Sequence, residues 1–188
     1  ASLEALVSER LGAVEHVVIA PGAGVRAALA DELQASLGGG AIVAPVLKVS
    51  AVVADPSGTS RVVGVQLLGV TSAYWSALGA TPPSAALEGL RPNQRLSDAL
   101  GLRPGAELIV RIDGGGSTPL DAPMAVVPSS VRAGVRVMGE PTAGLPGRFT
   151  LDVHGPATMT ALVPLQWLSR LVSEAQAPDS PARANTLL

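Results

Sequence analysis

The same order of elements is spelled near each end of the chain. Residues 14–20 are a short apolar run with β-branched side chains, which reads as a strand, and Pro21-Gly22-Ala23-Gly24 turns the chain after it. Residues 25–37 put Val25, Leu29, Leu33 and Leu37 on one helical face and Asp31, Glu32 and Gln34 off it, and three glycines at 38–40 stop that helix. Residues 41–54 are β-rich and broken once by Pro45, so the part after the proline reads as a strand. Towards the other end the order returns: a strand over 159–163, a helix opened by Pro164 with Leu165, Leu168, Leu171, Val172 and Ala175 on one face, and a last strand over 185–188. Two β-α-β units in one chain form a single sheet with helices on one face. The expected fold class is therefore α+β. Residues 1–54 and 155–188 make one lobe, and 55–154 an inserted, β-rich lobe, within a single domain spanning 1–188.

The middle of the chain supports that division. Asp55-Pro56-Ser57-Gly58 separates residues 41–54 from a second strand over 61–70, which predicts a hairpin. The 61–70 strand is apolar on both faces, so it reads as central. Tyr74 and Trp75 sit in what reads as a helical turn over 71–78, and Asn93 caps a short helix that Gly101 ends. Pro104-Gly105 fits the central pair of a type II turn before a strand over 106–112. Residues 131–138 alternate, with Val131, Ala133, Val135 and Val137 inward and Arg132 and Arg136 outward, as a half-buried strand does. Another strand is expected over 149–153, a helix over 2–11, a loop over 113–118 and a linker over 178–184.

Composition removes whole classes of function. A chain of 188 residues can bury a core of its own. It has no cysteine, which excludes disulfides, iron–sulfur clusters and thiol nucleophiles, and its two histidines, His16 and His154, exclude a histidine-rich metal site. A net charge of −2 argues against nucleic acid as a partner, and 2% aromatic residues leave no stacking platform for bases. No apolar run reaches the ~20 residues of a membrane helix. The chain opens on Ala1 without a leader pattern and closes on what reads as the start of a strand, so both ends read as cut from a longer chain.

Candidate chemistry is thin. Gly22-Ala23-Gly24 between a strand and a helix resembles a phosphate-holding turn, but Pro21 sits in it and no acidic residue follows about twenty positions later. The 113–118 loop, Asp-Gly-Gly-Gly-Ser-Thr, resembles a phosphate nest but lacks the Gly-Lys-Ser/Thr ending, so a strand-to-strand loop is the better reading. Asp152 and His154 share a face of an alternating segment, the arrangement of a base with its orienter, yet no Gly-x-Ser-x-Gly elbow accompanies them. His16 beside Glu15 reads as exposed. Tyr74 and Trp75 read as core anchors before they read as a partner hot spot. No residue is assigned a catalytic, cofactor-binding or metal role.

An ordered set of short motifs does carry a resemblance. Arg10-Leu-Gly-Ala-Val-Glu-His16 resembles an "R-L-G-x-(V/T)-D" opening, and Ala44-Pro-Val-Leu47 an "A-P-V-L". Residues 65–75, ending in Gly69-Val-Thr-Ser-Ala-Tyr-Trp75, resemble "V-x-V-x-G-V-D-x-x-F-W", with Thr71 where Asp is common. Residues 93–105 resemble "L-N-x-x-L-A-x-x-L-G-(L/V)-x-x-G-D", with Ala106 in the acidic place. Gly147-Arg-Phe-Thr-Leu151, Val163-Pro-Leu-Gln-Trp-Leu168 and Asn185-Thr-Leu-Leu188 resemble "G-R-F-S-L", "V-P-L-x-x-L" and "A-N-x-(L/I)-(L/F)-V". Together, over nearly the whole chain, they resemble the MacB-like periplasmic core domain of FtsX/MacB-type ABC transporter permeases.

That resemblance implies a non-catalytic extracytoplasmic domain in the cell membrane, set between two transmembrane helices. The paired β-α-β halves would be its porter-like lobe and the middle a β-rich, Sabre-like lobe. A separate cytoplasmic ATPase would drive it through the membrane helices. Its outer partner would be a lipoprotein, a peptide or an adaptor protein. No cofactor, metal or nucleic acid is implied. The alternatives are a small soluble nucleotide-binding enzyme using the Gly22–Gly24 turn, and a free-standing β-rich interaction module, which a large exposed apolar patch would mark.

Overall fold

The computed structural model describes residues 13–20, 24–38, 40–83, 88–113, 130–150, 158–174 and 182–188. Its sheet grows from a hairpin. Pro45–Ala54 (β3) and Arg61–Val70 (β4) pair antiparallel from Leu47↔Gly69 to Ala54↔Arg61, with a bulge between Ala51 and Val53. Pro45 has no N–H to give a ladder and accordingly stands at the first position of its strand. The hairpin loop is closed by the Asp55 N–H donating to the Ser60 carbonyl at 3.0 Å. The Ser57 hydroxyl donates to Asp55 Oδ2 at 2.8 Å and holds that carboxyl below the usual carboxylate range.

Around this hairpin the two ends of the chain interleave. Thr160–Pro164 (β8) lies parallel to β4, from Gln66↔Thr160 to Val70↔Pro164, and Arg91–Pro92 (β5) closes that edge antiparallel to β8. On the other side of β3 come Thr186–Leu187 (β10) and then Val18–Ile19 (β1), each step antiparallel. Two antiparallel steps make β1 parallel to β3 with β10 between them, and β8 parallel to β10 with β3 and β4 between them. Each half therefore straddles strands of the other. Glu107–Asp113 (β6) pairs with the far end of β3, and Ser130–Arg136 (β7) pairs with β6, completing an eight-stranded sheet. Four of the eight strands, β4, β5, β6 and β7, come from within residues 55–154.

Both faces of the sheet are covered along Val65–Val70, the half of β4 that is buried at every position. One face carries Leu47, Val65, Leu67, Ala161 and Val163. Against it lie Leu165, Leu168 and Leu171 of Leu165–Glu174 (α5), and Leu96 of Gln94–Leu100 (α3). Leu29–Leu37 (α1) joins them on this face: its Ala30 packs with Leu187, which stands opposite Pro45 and so shares the side of Leu47. The other face carries Val46, Leu68, Val70 and Leu162, covered by Tyr74, Trp75 and Leu78 from Ser72–Ala77 (α2) and its end, and by Phe149 beyond Gly144–Arg148 (α4). The fold is thus mixed α+β, as expected. Helices on a single face describe α1 and α5 but not the whole sheet, because the one dense aromatic cluster of the chain fills the opposite side.

Several element limits move for tertiary reasons. The first helix starts at Leu29 and not Val25, because Val25–Arg26 (β2) is drawn into a two-stranded ribbon with Arg183–Ala184 (β9). The strand expected over 14–20 shrinks to β1. Phe149 and Thr150 leave α4 without entering a strand. The helical turn at 71–78, the Asn93 cap and the strand and helix meeting at Pro164 stand where the sequence puts them. The Arg103–Ala106 turn is there too, with Gly105 at φ +87° and the Ala106 N–H donating to the Arg103 carbonyl at 3.0 Å. The helix expected over 2–11, residues 114–118 of the loop and residues 151–153 of the expected strand lie outside the described residues.

Candidate functional site

Among the described residues, the two larger concavities are built by the elements above. The first, of about 410 Å³, runs between β1, α1 and the end of α2. It is apolar, with Val14, Val18, Leu37, Ile42, Ala77 and Leu188 in its walls. The expected apolar stripe of the first helix explains it. In α1 only Ala30 is buried, because β1 is a two-residue edge strand too short to cover the helix. Leu33 and Leu37 are left facing out, the latter 67% exposed, beside Val18 and Ile42. Ala13 and Leu188, the first and last described residues, both line this groove.

The second concavity, of about 500 Å³, lies between the end of α2 and residues 139–146. Its far wall is braced on every side. The Tyr74 hydroxyl donates to the Pro146 carbonyl at 2.9 Å, and burial pushes that phenol's pKa up. Asn93 Nδ2 donates to the Gly147 and Thr158 carbonyls at 3.2 and 2.9 Å, while its Oδ1 accepts the Leu96 N–H at 3.0 Å. Gly147 is obligatory, since a Cβ there would meet the Thr142 carbonyl oxygen. The Thr142 N–H in turn donates to the Pro92 carbonyl at 2.8 Å. Arg91 and Thr142 line this cleft, and Arg91 Nε and Thr142 Oγ1 are buried with no hydrogen-bond partner among the described residues.

The residues singled out in the sequence are placed as follows. Gly24 stands at φ +67° against the Ala184 carbonyl, where any Cβ would collide, so it serves the approach of β2 to β9. Since β2 separates Gly24 from α1, the glycine does not lead straight into a helix N-terminus, the geometry that phosphate binding requires. Gly22 lies outside the described residues, as do Asp152 and His154. Tyr74 and Trp75 are core, their rings packed edge to face at 5.4 Å, with Phe149 on Tyr74 at 5.9 Å. Glu15 and His16 are exposed on the rim of the apolar groove. Among the described residues no three His, Asp or Glu side chains come together as metal ligands. No described helix is long and apolar enough to cross a membrane.

Sequence reading missed Arg91 and Thr142. Their juxtaposition comes from long-range pairing of 90–93 with 137–142, seen in the bridges Leu90↔Val137 and Asn93↔Thr142, and no local periodicity announces it. Compared with protein-family models and with curated proteins, the chain matches none.

Proposed function

We propose that this chain is the extracytoplasmic domain of an FtsX/MacB-type ABC transporter permease, coupling the motion of transmembrane helices to substrate or partner handling outside the cytoplasm. It performs no chemistry of its own in this reading. The observation that carries it is that residues of the ordered motif set hold structural positions: Asn93 at a helix cap, Pro164 at a strand–helix junction and Asn185 on the backbone of Lys48.

The motif residues add support from where they stand. Asn93 caps α3, Pro164 joins β8 to α5, and Tyr74 and Trp75 anchor the core. Asn185 clips the last strand to β3, its Oδ1 accepting the Lys48 N–H at 2.8 Å and its Nδ2 donating to the Lys48 carbonyl at 2.7 Å. The interleaved halves would be the porter-like lobe, and the sheet's far end with β6 and β7 would belong to the Sabre-like lobe. In operation, an ATPase on the far side of the membrane moves the helices, and this domain carries the motion to a lipoprotein, peptide or adaptor.

The test is topological. The chain has no cysteine, so a single Ser57→Cys in the exposed β3–β4 turn is a clean tag once other cysteines of the parent permease are removed. Labelling by a membrane-impermeant maleimide in intact spheroplasts is expected. Labelling only after lysis would overturn the assignment.

A further inference from the structure

The cleft between α2 and residues 139–146 has the make-up of a binding site, independently of the permease reading. Arg91 sits in β5 between Leu90 and Pro92, both buried. Strand alternation therefore turns the Arg91 side chain away from the one those neighbours enter. Its guanidinium lies over Gly139, where an added Cβ would stand 3.1 Å from Nη1 and 3.4 Å from Nη2. The absence of a side chain at Gly139, which is at φ +71°, is what lets the guanidinium lie there. The described residues provide it with neither a hydrogen bond nor an ion pair, although Nε is buried. Thr142 Oγ1, on the neighbouring segment, is buried and unpaired in the same way. Buried donors are almost always matched. Arg91 and Thr142 both line this cleft, so an acceptor seated in it is the partner that two side chains with unmatched donors lack.

The rest of the cleft narrows what that acceptor is attached to. Trp75, Leu78, Pro83 and Leu145 give it an apolar wall. Glu140 stands on its rim and repels a second negative charge. A planar monoanion suits one guanidinium fork and one hydroxyl better than a dianion does. We infer that this cleft binds a carboxylate carried on a small apolar group, with Arg91 and Thr142 donating to the carboxylate and the Trp75 wall taking the apolar part.

The probes are N-acetyl-L-leucine and its uncharged partner N-acetyl-L-leucinamide, followed by NMR on the labelled domain. The Trp75 indole N–H reports on the cleft, and that of Trp167, on α5 across the sheet, is the internal control. Expected are saturable shifts at Trp75 with the acid, none with the amide, and none at Trp167. Arg91→Gln should weaken binding of the acid about tenfold or more, the loss of a charge-assisted hydrogen bond, and Arg91→Lys by less. Thr142→Val keeps the side-chain shape and removes only the hydroxyl, so it carries the test if Arg91→Gln fails to fold; it should weaken binding several-fold. Equal shifts with acid and amide, an absence of saturable shifts with the acid, or displacement of the acid by inorganic phosphate at equal concentration would each overturn the assignment.

Discussion

Asn93 shows how much one side chain can hold. At 5% exposure it makes three side-chain hydrogen bonds to three separate stretches: its own helix, the Gly147 turn and the strand entry at Thr158. Asn93→Ala removes a helix cap, at about 1 kcal/mol. It also leaves two inward carbonyls without their donor, at about 1 kcal/mol or more apiece. The sum is about 3 kcal/mol in urea unfolding. Asn93→Ser keeps the cap acceptor but cannot reach the carbonyls, so its loss should fall between that of the Ala variant and zero. Equal losses for Ser and Ala would assign the cost to the carbonyls alone. The capping half of this role is legible in the sequence, as Asn before Gln-Arg-Leu with Gly101 behind. The bracing half is not, since Gly147 and Thr158 are remote along the chain.

At the level of elements, α5 lies flush on β4 because Gly69 has no side chain. A Cβ there would stand 3.0 Å from Leu168 Cδ2, 3.1 Å from Leu168 Cβ and 3.3 Å from the Leu165 Cα. The backbone at Gly69 is not in the left-handed region, so the demand is one of space only. Gly69→Ala must push the helix off the strand, and overpacking of this kind costs about 1–3 kcal/mol. Pairing it with Leu168→Val, which shortens the opposing side chain, should recover part of that loss in thermal melts; strict additivity of the two would refute the contact. Elements whose pattern needs no partner were readable: the β3–β4 hairpin, α3, α5 and the alternation of β7. Elements that depend on a distant neighbour were misjudged at their limits. Residues 25 and 26 fit a helix equally well by apolar spacing, and they became β2 only because Arg183 and Ala184 run beside them.

Across the whole molecule, burial does not follow hydrophobicity alone, and stability should divide accordingly. Leu168 is fully buried between α5 and the sheet, while Leu37 is 67% exposed on the groove. Leu168→Ala should cost about 2–5 kcal/mol, and Leu37→Ala about 0.5 kcal/mol or less, by chemical denaturation. A large cost at Leu37 would mean that the groove is closed by other parts of the chain in solution. The sequence by itself determined the class of fold, the hairpin at its centre, the helix caps and the exclusion of thiol chemistry, because each of these follows from local periodicity, turn residues or composition. Only the tertiary structure decided that the two halves interleave, that Leu33 and Leu37 of α1 line a groove instead of a core, and that Arg91 and Thr142 line one cleft. Those are matters of which strand lies beside which. Pairing between segments far apart along the chain is chosen by the packing of the entire sheet, so no single window of residues contains it.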